Sequence, residues 1–205
     1  MKLLMENWRK FINESGLSRI YKHIQEHECA VITAFRGDPS NESNCTENAV
    51  MYDVSNMNRN RDLKATLLSL NFGVTKVKGS YIEDFGTDIA KEVGENSLFC
   101  VNLKDDPTFV EMIALLGEKF CQDSVMVIPT GGEGVYLLGT NNAEFPGFGN
   151  REGVGNMSYG GESEFMTRVR GRPFTTKESL ELETYRDLPK NQRMFARAVQ
   201  KRILG

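Results

Sequence analysis

Asp106-Pro107-Thr108-Phe109-Val110-Glu111-Met112-Ile113-Ala114-Leu115-Leu116-Gly117-Glu118-Lys119-Phe120 carries the strongest periodic signal in the chain. Phe109, Met112, Ile113, Leu116 and Phe120 recur at i, i+3, i+4, i+7 and i+11, which is one apolar face of an α-helix. Asp106 offers an N-cap, and Pro107 a first-turn residue that needs no N–H. A strand is expected before this helix at Ser97 to Leu103 and another after it at Val125 to Pro129. Further upstream the β-branched run Ala30-Val31-Ile32-Thr33-Ala34-Phe35 reads as a buried strand. A helix follows from about Asn58 to Asn71, with Asn58 as its cap, Leu63, Leu67 and Leu70 as its stripe, and Gly73 as its stop. Val74 to Tyr81 alternates like a half-buried strand. Val135 to Gly139 pairs back on Val125 to Pro129 through Thr130-Gly131-Gly132-Glu133-Gly134. The order β-α-β-β-α-β-β predicts an α+β fold, a ferredoxin-like split βαβ sandwich with one added hairpin strand and its helices on one face of the sheet.

Hydrophobic residues make up 40% of the 205 and charged residues 26%, a soluble globular composition with no apolar run approaching the ~18 residues of a membrane span. The net charge of −3 is unevenly spread: residues 165–205 hold 10 Lys/Arg against 4 Asp/Glu, leaving the rest of the chain acidic. Four parts are expected: a leader-like amphipathic helix at 1–14 (Leu4, Trp8, Phe11, Ile12), an α+β domain at 15–140 opening with a second helix near Ser18 to Glu28, a Gly/Asn-rich loop at 141–164, and a basic segment at 165–205 ending in a helix from about Leu188 to Leu204.

The four cysteines (Cys29, Cys45, Cys100, Cys121) form no CxxC pair and read as reduced thiols. His23-Ile24-Gln25-Glu26-His27 has the H-x-x-E-H spacing of some zinc peptidases, but no second ligand segment accompanies it, and a solvated helix face accounts for it better. Gly147-Phe148-Gly149-Asn150-Arg151-Glu152-Gly153 neither follows a strand nor opens a helix, as a dinucleotide fingerprint must. No cofactor and no metal is therefore expected.

Arg168, Arg170 and Arg172 form an Arg-Gly-Arg-Pro core suited to the narrow A·T minor groove. Lys190, Arg193, Arg197 and Lys201 line one face of the last helix, opposite Phe195, Val199 and Ile203. Together these seven cations are the candidate contacts to DNA or another acidic partner.

Two resemblances follow from the motifs. Ile32-Thr33-Ala34, then Asn58, Asn60, Arg61 and Leu63, then Glu95-x-Ser97, and finally Gly117-x-x-Phe120-x-Gln122-Asp123-Ser124 resemble a small bacterial α+β domain family of unknown function. The resemblance implies a polar cluster of Asn58, Arg61, Glu95, Ser97, Gln122, Asp123 and Ser124; the long segment after Arg36 and the chain beyond 140 depart from the family. The first fourteen residues resemble the prohead-targeting leader of T-even-like tailed-phage head proteins. Cleavage after Glu14, at Ile12-Asn13-Glu14, is implied, with prohead components as partners. The reading that results is a phage accessory protein of the virion head or host cytoplasm, acting without catalysis as a binding protein. The competing reading is an enzyme on nucleic acid or nucleotides, using Glu95 and Asp123 with Arg61.

Overall fold

The computed structural model describes residues 19–36, 43–50, 55–83, 91–159, 165–169, 172–178 and 182–205. The leader, Glu14 and Arg170 lie outside them. Residues 19–26 form α1. Then come β1 (Cys29–Ile32), α2 (Asn56–Ser69), β2 (Gly73–Glu83), β3 (Lys91–Val101), α3 (Phe109–Lys119), β4 (Ser124–Ile128), β5 (Val135–Gly139), β6 (Arg151–Gly155), β7 (Ser158–Tyr159), β8 (Phe165–Val169), β9 (Arg172–Glu178) and α4 (Lys190–Leu204). The class is α+β, as the sequence predicts.

The strands form one sheet in the order β6-β5-β4-β1-β3-β2-β9-β8-β7. Its centre, β4-β1-β3-β2, is antiparallel throughout. With α2 linking β1 to β2 and α3 linking β3 to β4, two βαβ units interleave. β1 lies between β3 and β4 and all four of its residues are buried, so its sequence is continuously apolar. Ala30 and Ile32 face one core with Leu63 and Leu67 of α2, Phe109, Ile113 and Leu116 of α3, and Ala196, Val199 and Ile203 of α4. Cys29 and Val31 face a second core with Phe99, Met126, and Ile20 and Ile24 of α1. Helices thus cover both faces, which corrects the expectation of one.

Local chemistry explains the shifted boundaries. Ser55, not Asn58, caps α2, its Oγ accepting from the Asn58 N–H. Both inner helices close in a six-to-one backbone turn without glycine. Asn71 takes φ 66° as Phe72 N–H reaches Leu67 O, and Cys121 takes φ 52° as Gln122 N–H reaches Gly117 O. Gly73 accordingly opens β2 and does not stop the helix. Gly117 lets α3 sit close to the sheet: a Cβ there would come within 2.8 Å of Thr140 and Val125. Asp106 turns its carboxylate onto the Thr108 N–H and hydroxyl, one turn before α3 begins at Phe109. These hydrogen bonds hold its carboxyl below the usual value.

The chain after residue 140 differs most from expectation. The Gly/Asn-rich segment includes β6 and β7. The basic segment is also sheet, with β9 laid along β2 from Val77↔Glu178 to Ser80↔Thr175 and paired with β8. Five strands, not one, extend the central four. On α4, Ala196 takes the buried place expected of Phe195, which stays 44% exposed beneath the Arg61 guanidinium. The cysteines differ too: Cys45 and Cys121 form a disulfide, while Cys29 and Cys100 are buried free thiols whose burial pushes their ionisation up. Sequence spacing missed this pair because 76 residues separate the partners.

Candidate functional site at the carboxyl end of β1

Four motif segments meet where β1 ends. Because β1 and β4 are antiparallel, with Val31 opposite Met126, the chain leaving β1 runs level with the start of β4. Thr33 Oγ1 donates to Asn96 O of β3 at 3.1 Å, and Asn60 Nδ2 donates to the same carbonyl at 3.0 Å. The other end of the Asn60 amide accepts the Ala34 N–H at 3.2 Å. Arg59 is buried and forked: Nε donates to Ala34 O at 3.0 Å and Nη2 to Phe120 O at 2.7 Å. It thereby joins the end of β1 to the end of α3. Arg36 adds a second tie through Nη1 to Cys121 O, and its backbone exchanges two hydrogen bonds with the Asn56 side chain. The segment past β1 is held in place by α2 side chains, which satisfy groups that a strand partner would otherwise satisfy.

Gln122, Asp123 and Ser124 lie at the rim of this junction. Gln122 is buried, its Nε2 donating to Phe120 O at 3.0 Å. Asp123 is exposed and takes a 2.7 Å hydrogen bond from Asn141 Nδ2. Ser124 opens β4 opposite Gly139. Ser97 is buried in β3 opposite Val77, and Glu95 sits two residues before it opposite Gly79. Asn58 is exposed on the first turn of α2. Arg61 turns away toward α4, 5.5 Å over Phe195 and 3.9 Å from Asp62. Among the described residues no hydrogen bond or ion pair joins Arg61 to Asp123.

A scan of protein-family models matches residues 30–185 to the S-adenosylmethionine lyase family. The chain belongs to that family. The match spans β1 to the bridge at Glu183, so it takes in every segment of the junction and the strands added after residue 140. It overturns the reading of a non-enzymatic head protein: membership in a lyase family points to catalysis. No curated protein matches the chain. Sequence reasoning missed Arg36, Asn56, Arg59 and Asn141 in this lyase-family chain. Arg59 lies between the motif residues Asn58 and Asn60, and Asn56 two positions before them, whereas Asn141 lies in a Gly/Asn-rich stretch that carries no periodic signal.

The remaining candidates lie elsewhere. Arg168 and Arg172 stand on the paired strands β8 and β9, and Lys190, Arg193, Arg197 and Lys201 are exposed on α4, with Arg197 5.5 Å over the Tyr185 ring. On α1 the ring centroids of His23 and His27 are 6.0 Å apart, and His27 Nδ1 lies 3.1 Å from Asp105. Among the described residues no group of three or more ligating side chains could hold a metal, and no helix is long and apolar enough to cross a membrane.

His23 yields a stability prediction. Its Nδ1 is buried with no hydrogen-bond partner among the described residues. Burial, then the charge of His27, lowers its affinity for a proton below the ordinary value of 6.5. The unfolded chain therefore binds that proton more readily, so this contribution is complete above about pH 6.5 and shrinks as pH falls below it. The urea midpoint is expected to drop between about pH 7 and 5, and His23→Gln to flatten that decline. An equally steep decline in the variant would rule His23 out as the cause.

Proposed function

We propose that this protein cleaves S-adenosylmethionine at the junction beyond β1. The observation that carries the reading is the family match, because the matched residues include every segment that converges there. A lyase breaks a bond without adding water. In a sulfonium substrate the carbon–sulphur bond can break heterolytically, with the electron pair passing to sulphur to leave a neutral thioether. The departing carbon chain balances its charge by losing a proton or by bonding to its own carboxylate.

Such a reaction asks the protein for two things. The first is an anionic group that draws in the cationic substrate, and Asp123 is an exposed carboxylate on the rim. The second is a positive partner for the substrate carboxylate. The amino end of α2 opens onto the same edge with no acidic residue in its first turn, and the helix dipole there favours an anion. Of the enzyme alternative read from the sequence, nucleic-acid or nucleotide chemistry through Glu95 and Asp123 with Arg61, this reading keeps Asp123 alone and takes S-adenosylmethionine as an adenosine-bearing substrate.

The test incubates the purified full-length protein with S-adenosylmethionine and follows products by mass spectrometry. Loss of substrate with release of a neutral thioether nucleoside is expected. Asp123→Asn, which removes the charge and keeps the shape, should lower kcat/KM by about 100-fold or more. Intact substrate after prolonged incubation with folded protein would sink the reading.

A further inference from the structure

We infer that Asn141 is a positioning residue that fixes the Asp123 carboxylate for the substrate cation. This inference rests on the lyase reading above. Asn141 lies just beyond β5 and is completely buried, so both ends of its amide need partners. Its Oδ1 accepts the Ala143 N–H at 2.9 Å. That contact assigns the oxygen end and turns Nδ2 toward Asp123 Oδ1 at 2.7 Å, with Cys121 Sγ at 3.8 Å. The donor can therefore not rotate away from the carboxylate without stranding a buried N–H.

Neighbouring contacts remove the remaining freedom. Thr140 N–H donates to Asp123 O at 3.1 Å, and Thr140 Oγ1 donates to Gln122 O at 2.6 Å. The Asn142 N–H binds Asn44 O at 2.8 Å, tying the same segment to the loop that carries Cys45. Behind it Gly139 packs so closely that a Cβ there would come within 1.8 Å of Gly147 O. Asn141 is thus a rigid donor aimed at an exposed acid, which would otherwise sample several rotamers.

The chemical type of the donor matters as much as its position. An arginine or lysine at this distance would also orient Asp123, but its charge would offset the carboxylate and repel a sulfonium. A neutral amide orients the acid and leaves its full negative charge for the substrate. Such an arrangement suits a site that must tell a sulfonium from the corresponding thioether.

The experiment compares wild type, Asn141→Ala and Asn141→Leu, which keeps a similar volume, adds no charge and has no donor. Steady-state cleavage of S-adenosylmethionine is measured beside binding of the neutral thioether analogue S-adenosylhomocysteine, with urea midpoints as the folding control. Both variants are expected to raise KM for the sulfonium about tenfold with kcat changed less, while thioether affinity stays within about twofold. An unchanged KM, or equal losses for sulfonium and thioether, would overturn the positioning role while leaving the lyase reading intact. If wild type neither cleaves nor binds S-adenosylmethionine, the lyase reading fails first and this inference goes with it. If Asn141→Ala does not fold, Asn141→Leu decides the matter by the same two measurements.

Discussion

Cys45→Ser is expected to lower the stability of the oxidised protein by roughly 4 kcal/mol, the chain-entropy value for a loop of this size. The disulfide joins residues 76 apart, so in the unfolded chain it closes a loop from the β1–α2 connection to the end of α3. In the folded chain the connection has other fastenings. Thr46 and Asn48 donate to Glu118 Oε1 at 2.7 and 3.0 Å, and Val50 N–H donates to Lys119 O at 2.8 Å. Breaking the bond therefore leaves these native contacts available and acts mainly by freeing the unfolded ensemble. Urea unfolding of wild type with and without dithiothreitol measures the effect, and the reductant should move wild type to the midpoint of Cys45→Ser. A reductant-insensitive wild type would mean that the bond does not contribute.

What the sequence made legible follows from where the information sits. The apolar period of α3 and the β-branched run of β1 are local signals, and the core they specify is the one observed. The added strands were hidden because their sequences are polar or glycine-rich: β6 is Arg-Glu-Gly-Val-Gly, with only Val154 buried. Such strands are specified by an exposed neighbouring edge more than by their own periodicity. β9 illustrates this, since a basic stretch reads as a free arm until β2 presents an edge for it to pair with. The helix stops were hidden for a different reason. Asn71 and Cys121 adopt the conformation normally given to glycine, and a cysteine in that role carries no sequence signal.

The candidate site was legible in part. Gln122, Asp123 and Ser124 were marked by a motif, and Asp123 keeps a leading role in the lyase reading. The partners that organise the site were not marked, because they act through backbone carbonyls distant in sequence. Arg59 reaches Ala34 and Phe120, and Asn141 reaches across from beyond β5. The charge pattern was legible as a sum. Part of the basic excess is spent within the fold: Arg202 lies 2.5 Å from the buried Asp62 carboxylate.

Arg59 shows how much of the fold depends on such a long-range contact. Arg59→Met is expected to cost roughly 3–5 kcal/mol, on the basis of about 1.5–3 kcal/mol for each of the two hydrogen bonds this charged donor makes to a backbone carbonyl. Arg59 is only 6% exposed, and its guanidinium bridges two carbonyls that close different elements, the tail of β1 and the C-cap of α3. It also lies 6.0 Å from the centroid of the Phe120 ring. Methionine keeps much of the aliphatic packing but leaves both carbonyls without this donor. Arg59→Lys keeps the charge, yet a single ammonium lacks the planar fork that serves Ala34 and Phe120 together, so it should recover less than half of the loss. Urea midpoints at constant m-value measure both variants. Equal stability of Arg59→Lys and wild type would mean that charge alone suffices and that the fork is not what joins β1 to α3. The expected order, wild type above lysine above methionine, would identify the bidentate geometry as the tie that brings the Thr33–Arg36 segment up to Gln122 and Asp123.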